Sequence, residues 1–313
     1  MKTAIVFPGQ GAQYPGMMRD IFEKFPVARE VFDLASDTLG RDIYALTMEG
    51  TQEELDLTRN TQPCLLACEL ALWRVFCSLG LEYDAALGFS LGEWAALPAV
   101  GAIPEPDALR LIEKRAEAMQ NAVPEGKGGM AVILGQDGEA VRELCRTIGE
   151  ISPSNYNCPG NITVAGTAEG IGRLLRTEGV TASRVAVSVP SHCELMRPAV
   201  ESLRPDLQSL AFKRPGKTLV MNAAGLPVED PAEIRSALLE QLVSPVLFQQ
   251  SVEYLLDEGY DTFLELGPGK TLSGMIKRTA KKAGKRVEIK QCGGISQLEE
   301  IQRLLRTLSR DQV

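Results

Sequence analysis

Ala85-Ala86-Leu87-Gly88-Phe89-Ser90-Leu91-Gly92-Glu93 reads as a short buried strand entering a helix through a GxSxG turn. Residues 85–88 are apolar and strand-length, residues 91–102 continue as a helix, and glycines at 88 and 92 permit a sharp turn with close helix packing. Ser90 then stands above the end of a sheet, with the amides of the following helix start aimed at it. A serine hydroxyl is a weak nucleophile until a base takes its proton, and imidazole, with an ordinary pKa of about 6.5, is suited to that work near neutrality. The chain has one histidine, His192, in Val189-Pro190-Ser191-His192-Cys193. If histidine activates Ser90, it is His192; the alternatives are an ordinary turn serine and a hydrogen-bonded core histidine.

Outward from the turn, the pattern is α/β. A strand is expected at 3–7, running into the glycine-rich turn Pro8-Gly9-Gln10-Gly11-Ala12-Gln13, with helices at 19–38 and 62–79, the second started by Thr61 and Pro63. Residues 128–190 read as βαββαβ, with strands at 130–134, 151–156, 162–165 and 184–189 and helices at 138–148 and 168–178. Strands near 218–222, 261–266 and 287–291 then alternate with helices. The expected architecture is a large α/β-hydrolase-like domain (residues 1–127 and 191–313) with a parallel sheet and a nucleophile elbow, and an inserted small ferredoxin-like domain (residues 128–190). His192 falls at their junction, where clefts tend to form. The order of parts departs from an α/β-hydrolase triad, in which an acid precedes a late histidine, because several further α/β elements follow His192.

Composition narrows the function classes. A net charge of −8 disfavours nonspecific binding to nucleic acid. No apolar run approaches the roughly 18 residues of a membrane span, and the N-terminal residues lack the apolar stretch of a signal peptide, so a cytoplasmic protein is expected. The seven cysteines are scattered without a CxxC pair, which suits structural thiols; with one histidine, no metal site is expected.

Seven ordered motifs extend the reading: Phe7-Pro8-Gly9-Gln10-Gly11-Ala12-Gln13; Gly88-Phe89-Ser90-Leu91-Gly92-Glu93; Lys114-Arg115-Ala116-Glu117-Ala118-Met119-Gln120; Asn155-Tyr156-Asn157-Cys158-Pro159-Gly160; Pro190-Ser191-His192-Cys193-Glu194-Leu195-Met196; Ser244-Pro245-Val246-Leu247-Phe248; and Glu265-Leu266-Gly267-Pro268-Gly269-Lys270. Together they resemble the malonyl-CoA:acyl carrier protein transacylase family over nearly the whole chain. The resemblance implies a serine that takes an acyl group from a CoA thioester and yields it to the phosphopantetheine thiol of acyl carrier protein, in fatty acid or polyketide synthesis. Both are substrates, and no bound cofactor is expected. By the same resemblance, the backbone amides of Gln10 and Leu91 stabilise the tetrahedral oxyanion, and the main-chain carbonyl of Leu247 orients His192. Arg115 pairs with the free carboxylate of malonate, with Met119 and Asn157 as further substrate contacts. An arginine in that role favours a dicarboxylic acyl group, since planar guanidinium matches carboxylate; the alternative is a solvated helix residue. Phe89 departs from the histidine usual in the family before the serine, which bears on the shape of the acyl pocket.

Carrier proteins are acidic, so an acidic enzyme must gather positive charge locally to attract one. Lys277, Arg278, Lys281, Lys282, Lys285 and Arg286 cluster after the Gly-Pro-Gly loop and form a candidate docking patch; the alternative is an exposed helix end. The family resemblance implies a monomer. Two other readings of the chain are a hydrolase that removes acyl groups from carriers, for which Arg115 has no purpose, and a noncatalytic carrier-binding scaffold.

Overall fold

The computed structural model describes residues 2–187 and 189–310, with side chains of the C-terminal helix as far as Arg303. Ten strands lie along them: β1 Thr3–Phe7, β2 Ala85–Gly88, β3 Gly128–Leu134, β4 Ile151–Cys158, β5 Asn161–Thr167, β6 Thr181–Arg184, β7 Thr218–Met221, β8 Leu226–Pro227, β9 Thr262–Leu266 and β10 Glu288–Cys292. They form two sheets. The larger has the order β10-β9-β1-β2-β7-β8 and is parallel except for the short β8. Every residue of β1, β2 and β9 is buried, as a parallel sheet covered by helices on both faces requires. Side chains alternate across β1, so Ile5 and Phe7 enter one apolar core while Ala4 and Val6 enter another. On the first face pack the helices Thr58–Ser78 and Glu105–Ala122. On the second pack Phe248–Asp257 and Thr271–Lys282.

The smaller sheet is antiparallel with the order β4-β5-β3-β6. The helices Gly138–Ile148 and Ala168–Leu175 close its own core around Ile133, Val141, Val164 and Ile171. It is fastened to the rest of the molecule by a bridge in which Val246 N–H donates to Ser154 O (2.9 Å) and Tyr156 N–H donates to Val246 O (2.9 Å). That bridge aims β4 at the end of the parallel sheet that carries Ser90.

Several local expectations shift. The helix expected at 62–79 begins at Thr58, with Pro63 inside it. Proline cannot donate to the carbonyl four residues back, and that carbonyl, Arg59 O, instead accepts from Arg41 Nη2 (3.0 Å). The expected strand at 184–189 is β6, and it ends at Arg184; Ser188 lies outside the described residues. Val185, Val187 and Val189 alternate like a strand, but after the Val185 amide, which still donates to Met130 O (3.0 Å), the segment leaves the ladder among the described residues and these valines line a cavity. The expected helix at 19–38 is two helices, Arg19–Lys24 and Pro26–Leu39, divided by extended backbone at Phe25.

Candidate active site

Ser90 sits at the junction of β2 and the helix Glu93–Ala99, in a single 3-10 turn. Both glycines of the pentapeptide are dictated by close approach. A Cβ on Gly88 would stand 1.9 Å from the carbonyl carbon of Gly92, and one on Gly92 would stand 2.2 Å from Phe7 O. The turn is thus pressed onto the end of β1, and Ser90 takes a positive φ of 55°, a conformation that costs a non-glycine residue on the order of 1–3 kcal/mol and persists only where surroundings impose it. His192 has the same feature, with φ 61°.

The two side chains meet: Ser90 Oγ lies 2.7 Å from His192 Nε2. The other ring nitrogen, Nδ1, is 2.6 Å from the main-chain carbonyl of Gln241, which fixes the tautomer with Nδ1 as donor and leaves Nε2 to accept the serine proton. This corrects the expected role of Leu247. Gln241 lies in the last turn of the helix Pro231–Val243, where carbonyls lack an intrahelical partner. The Leu247 carbonyl instead accepts from the Ser251 amide and hydroxyl (both 2.9 Å). The histidine is 2% exposed. Burial, and after it the charge of Arg115, push its pKa down to about 4 against the pull of the Gln241 carbonyl, so the ring is neutral and basic at neutral pH.

Arg115 is fully buried in the helix Glu105–Ala122. Its Nη1 donates to Gln62 Oε1 (2.6 Å) and its Nη2 to Gln241 Oε1 (2.9 Å) and Ser90 Oγ (3.2 Å). Among the described residues its Nε has no partner. Burial lowers its pKa to about 10, with Glu93 pulling the other way, which leaves it cationic. A guanidinium thus waits beside the nucleophile with neutral amide partners, where an incoming anion would complete its pairing.

Met119 does not reach the cavity that opens over Ser90. It lies one helical turn beyond Arg115 in the core, where its sulfur accepts from Gln62 Nε2 (3.6 Å). Gln10 and Asn157 do line that cavity of about 200 Å³, together with Phe89, Ser90, Ser191 and His192. Asn157 is held in the small sheet by donating to Asn161 Oδ1 (2.8 Å) and Thr163 Oγ1 (3.0 Å). Phe89 is a wall residue locked edge-on against Phe248, with ring centroids 5.4 Å apart. Leu91, buried, follows the nucleophile in the same turn.

The basic cluster lies on the helix Thr271–Lys282 and just beyond it. Thr271 and Met275 line the cavity, and helical spacing puts Arg278 and Lys282 on the same face of Thr271–Lys282. Arg278 reaches the Cys158 thiol of β4, where its charge opposes the effect of burial. Lys277 and Lys281 lie on the neighbouring flank, and Lys285 faces Asp257 at 3.9 Å. All six cluster residues are exposed. No group of three or more potential metal ligands occurs among the described residues.

The acyl transferase domain family matches residues 4–310. The chain is 40% identical over 289 residues to a malonyl CoA-acyl carrier protein transacylase of Bacillus subtilis strain 168, covering 90% of this chain and 91% of that one. This chain belongs to the acyl transferase family. Among solved structures it superposes with a TM-score of 0.91 on an acyl carrier protein S-malonyltransferase of Vibrio cholerae, at 39% identity and covering 96% of this chain and all of that one. The same score and identity relate it to a malonyl-transacylase solved in complex with its type II polyketide synthase acyl-carrier protein, over 95% of this chain and 98% of that one.

Within this acyl transferase, four residues that complete the site were not assigned from sequence. Gln241 and Gln62 hold Arg115, Asn222 accepts from the Ser90 amide (2.6 Å), and Glu93 accepts from both Asn222 and Gln241 (2.6 Å each). Their one sequence signal is a polar residue where the helical or strand pattern calls for an apolar one. That signal marks burial and says nothing of partners.

Proposed function

We propose that the enzyme moves a malonyl group from malonyl-CoA to the phosphopantetheine thiol of acyl carrier protein through an ester on Ser90, in fatty acid or polyketide synthesis. His192 Nε2 takes the hydroxyl proton as Ser90 Oγ attacks the thioester carbonyl; the backbone amides of Gln10 and Leu91 receive the oxyanion; the CoA thiolate leaves and takes the proton from His192. In the second half the carrier's thiol gives its proton to His192, its sulfur attacks the ester, and Ser90 Oγ leaves with that proton. The cycle needs no resident cofactor or metal. Asn157 and Phe89 bound the substrate channel, and Arg278 and Lys282, followed by Lys277, Lys281, Lys285 and Arg286, form the face that attracts an acidic carrier. We read the molecule as a monomeric cytoplasmic protein with a hydrolase-like large domain (residues 1–127 and 191–313) and a ferredoxin-like insertion (residues 128–190); the strand order β4-β5-β3-β6 with a helix after β3 and after β5 supports the second description.

The observation that carries the malonyl assignment is the buried Arg115 Nη2 at 3.2 Å from Ser90 Oγ. A carboxylate one methylene beyond the ester carbonyl falls within its reach, whereas an acetyl group would leave the cation unpaired. Arg115→Ala should therefore reduce malonyl transfer by roughly 3–5 kcal/mol, the usual cost of breaking a buried charge pair, while acetyl transfer holds or rises. The ratio of kcat/KM for malonyl-CoA to that for acetyl-CoA, in wild type and variant, measures this. An unchanged ratio would remove Arg115 from acyl selection and strengthen the acyl-hydrolase reading.

A further inference from the structure

Glu93 is a carboxylate with no exposed surface at all, placed in the first turn of the helix that follows the nucleophile. Burying such a group is costly unless it is fully hydrogen-bonded, so its partners indicate what it holds. One oxygen accepts from Asn222 N (2.6 Å) and the other from Gln241 Nε2 (2.6 Å). Asn222 in turn brackets the turn around the nucleophile: its Oδ1 accepts from Ser90 N (2.6 Å) and its Nδ2 donates to Gly88 O (2.6 Å). Gln241 touches everything else. Its Nε2 donates to Ser90 O (3.0 Å), its Oε1 accepts from Arg115, and its main-chain carbonyl takes His192 Nδ1.

We infer that Glu93 is the positioning residue of the transfer reaction, the buried carboxylate through which the nucleophile turn and the carbonyl that orients the histidine are held in a common register, while Arg115 keeps a separate anchor on Gln62. The inference rests on the transfer reading above. Both groups facing the carboxylate are donors, so the ionised form is the complementary one; a protonated carboxyl would set an O–H against an N–H. Burial raises its pKa above the ordinary carboxylate range, to about 8, and the Asn222 amide, the charge of Arg115 and the Gln241 amide limit that rise. Glu93 touches no reacting atom. Its effect passes through Asn222 and Gln241.

The test is the Glu93→Gln variant, isosteric but with an NH2 group that must face one of two donors. Intact-mass kinetics with malonyl-CoA and acetyl-CoA follow the rate and the final extent of Ser90 acylation. A misplacement of nucleophile and base by about 1 Å can cost about 100-fold in rate. Glu93→Gln should therefore acylate about 100-fold more slowly with both donors, so that the malonyl to acetyl ratio is kept, with little change in KM and full final occupancy. Glu93→Asp keeps the charge but spans only one of the two contacts; it should lose about 10-fold and serves if the glutamine variant fails to fold. A merely structural role would lower the final occupancy and leave the rate of the active fraction intact; that result, or a wild-type rate in either variant, overturns the inference. Failure of the wild type itself to take malonyl on Ser90 would overturn the transfer reading instead, before any variant is compared.

Discussion

Ser90 and His192 are both held at positive φ and 2.7 Å apart, so each is strained into a place where its partner waits. The imidazole is also kept from protonating. Burial and the neighbouring guanidinium drive its pKa to about 4, and only the neutral ring can accept the serine proton. The acid limb of the acylation rate against pH should consequently have its midpoint near 4, well below the ordinary histidine value of about 6.5, with activity retained above it and lost below. Stopped-flow acylation by malonyl-CoA in buffers from pH 3.5 to pH 8, reached by brief jumps from neutral stock, measures this; a midpoint at the ordinary value would mean that the ring is solvated. At this scale Ser90, His192 and Arg115 were legible as candidates, and the structure brings their three side chains together. The group that orients the histidine was not legible, because a main-chain carbonyl is carried by every residue. Leu247 and Gln241 are equal in that respect, and only the end of the helix Pro231–Val243 decides between them.

At the level of elements, the helix Thr271–Lys282 joins two tasks. Its start is fixed by Glu265, whose buried carboxylate accepts from Leu272 N (3.1 Å), Ser273 N (2.8 Å) and Ser273 Oγ (2.6 Å), a charge favourably placed at a helix N-terminus. Its first two turns wall the cavity, and its later turns carry the basic face. Arg278→Glu with Lys282→Glu, on the cavity side, should raise the carrier's KM by roughly tenfold at low ionic strength and leave acylation by malonyl-CoA unchanged. Lys277→Glu with Lys281→Glu, on the flank, should do less. Equal carrier kinetics in wild type and both variants at low salt would withdraw this helix from docking. The helix Gly138–Ile148 was readable in the sequence, and its bounds agree with the expected 138–148. The strand at 184–189 was misread because a cavity wall and a paired strand share a period of two. The early start at Thr58 was hidden because the remedy for Pro63 comes from the distant Arg41.

Across the whole molecule, the site exists only where the two sheets meet. The parallel sheet supplies Ser90, the segment leaving the antiparallel sheet supplies His192, and the bridge through Val246 holds β4, with Asn157, over both. The alternation of strands and helices disclosed most strands of the two sheets, because strands and helices each carry a local period. The meeting of Asn222, Gln241, Gln62 and Glu93 was not disclosed, because contacts between segments so far apart in the chain leave no period to read. If malonyl passes through Ser90 from one thiol to another, its mass must be found on that serine in transit. Peptide mapping by mass after rapid mixing with malonyl-CoA tests it most directly, before and after addition of phosphopantetheinylated carrier protein. The malonyl mass should appear on the peptide containing Ser90, leave it when the carrier is added, and reappear on the carrier, with no such sequence in Ser90→Ala. Label on a cysteine, transfer persisting in Ser90→Ala, or release of malonate to water with none on the carrier would contradict it.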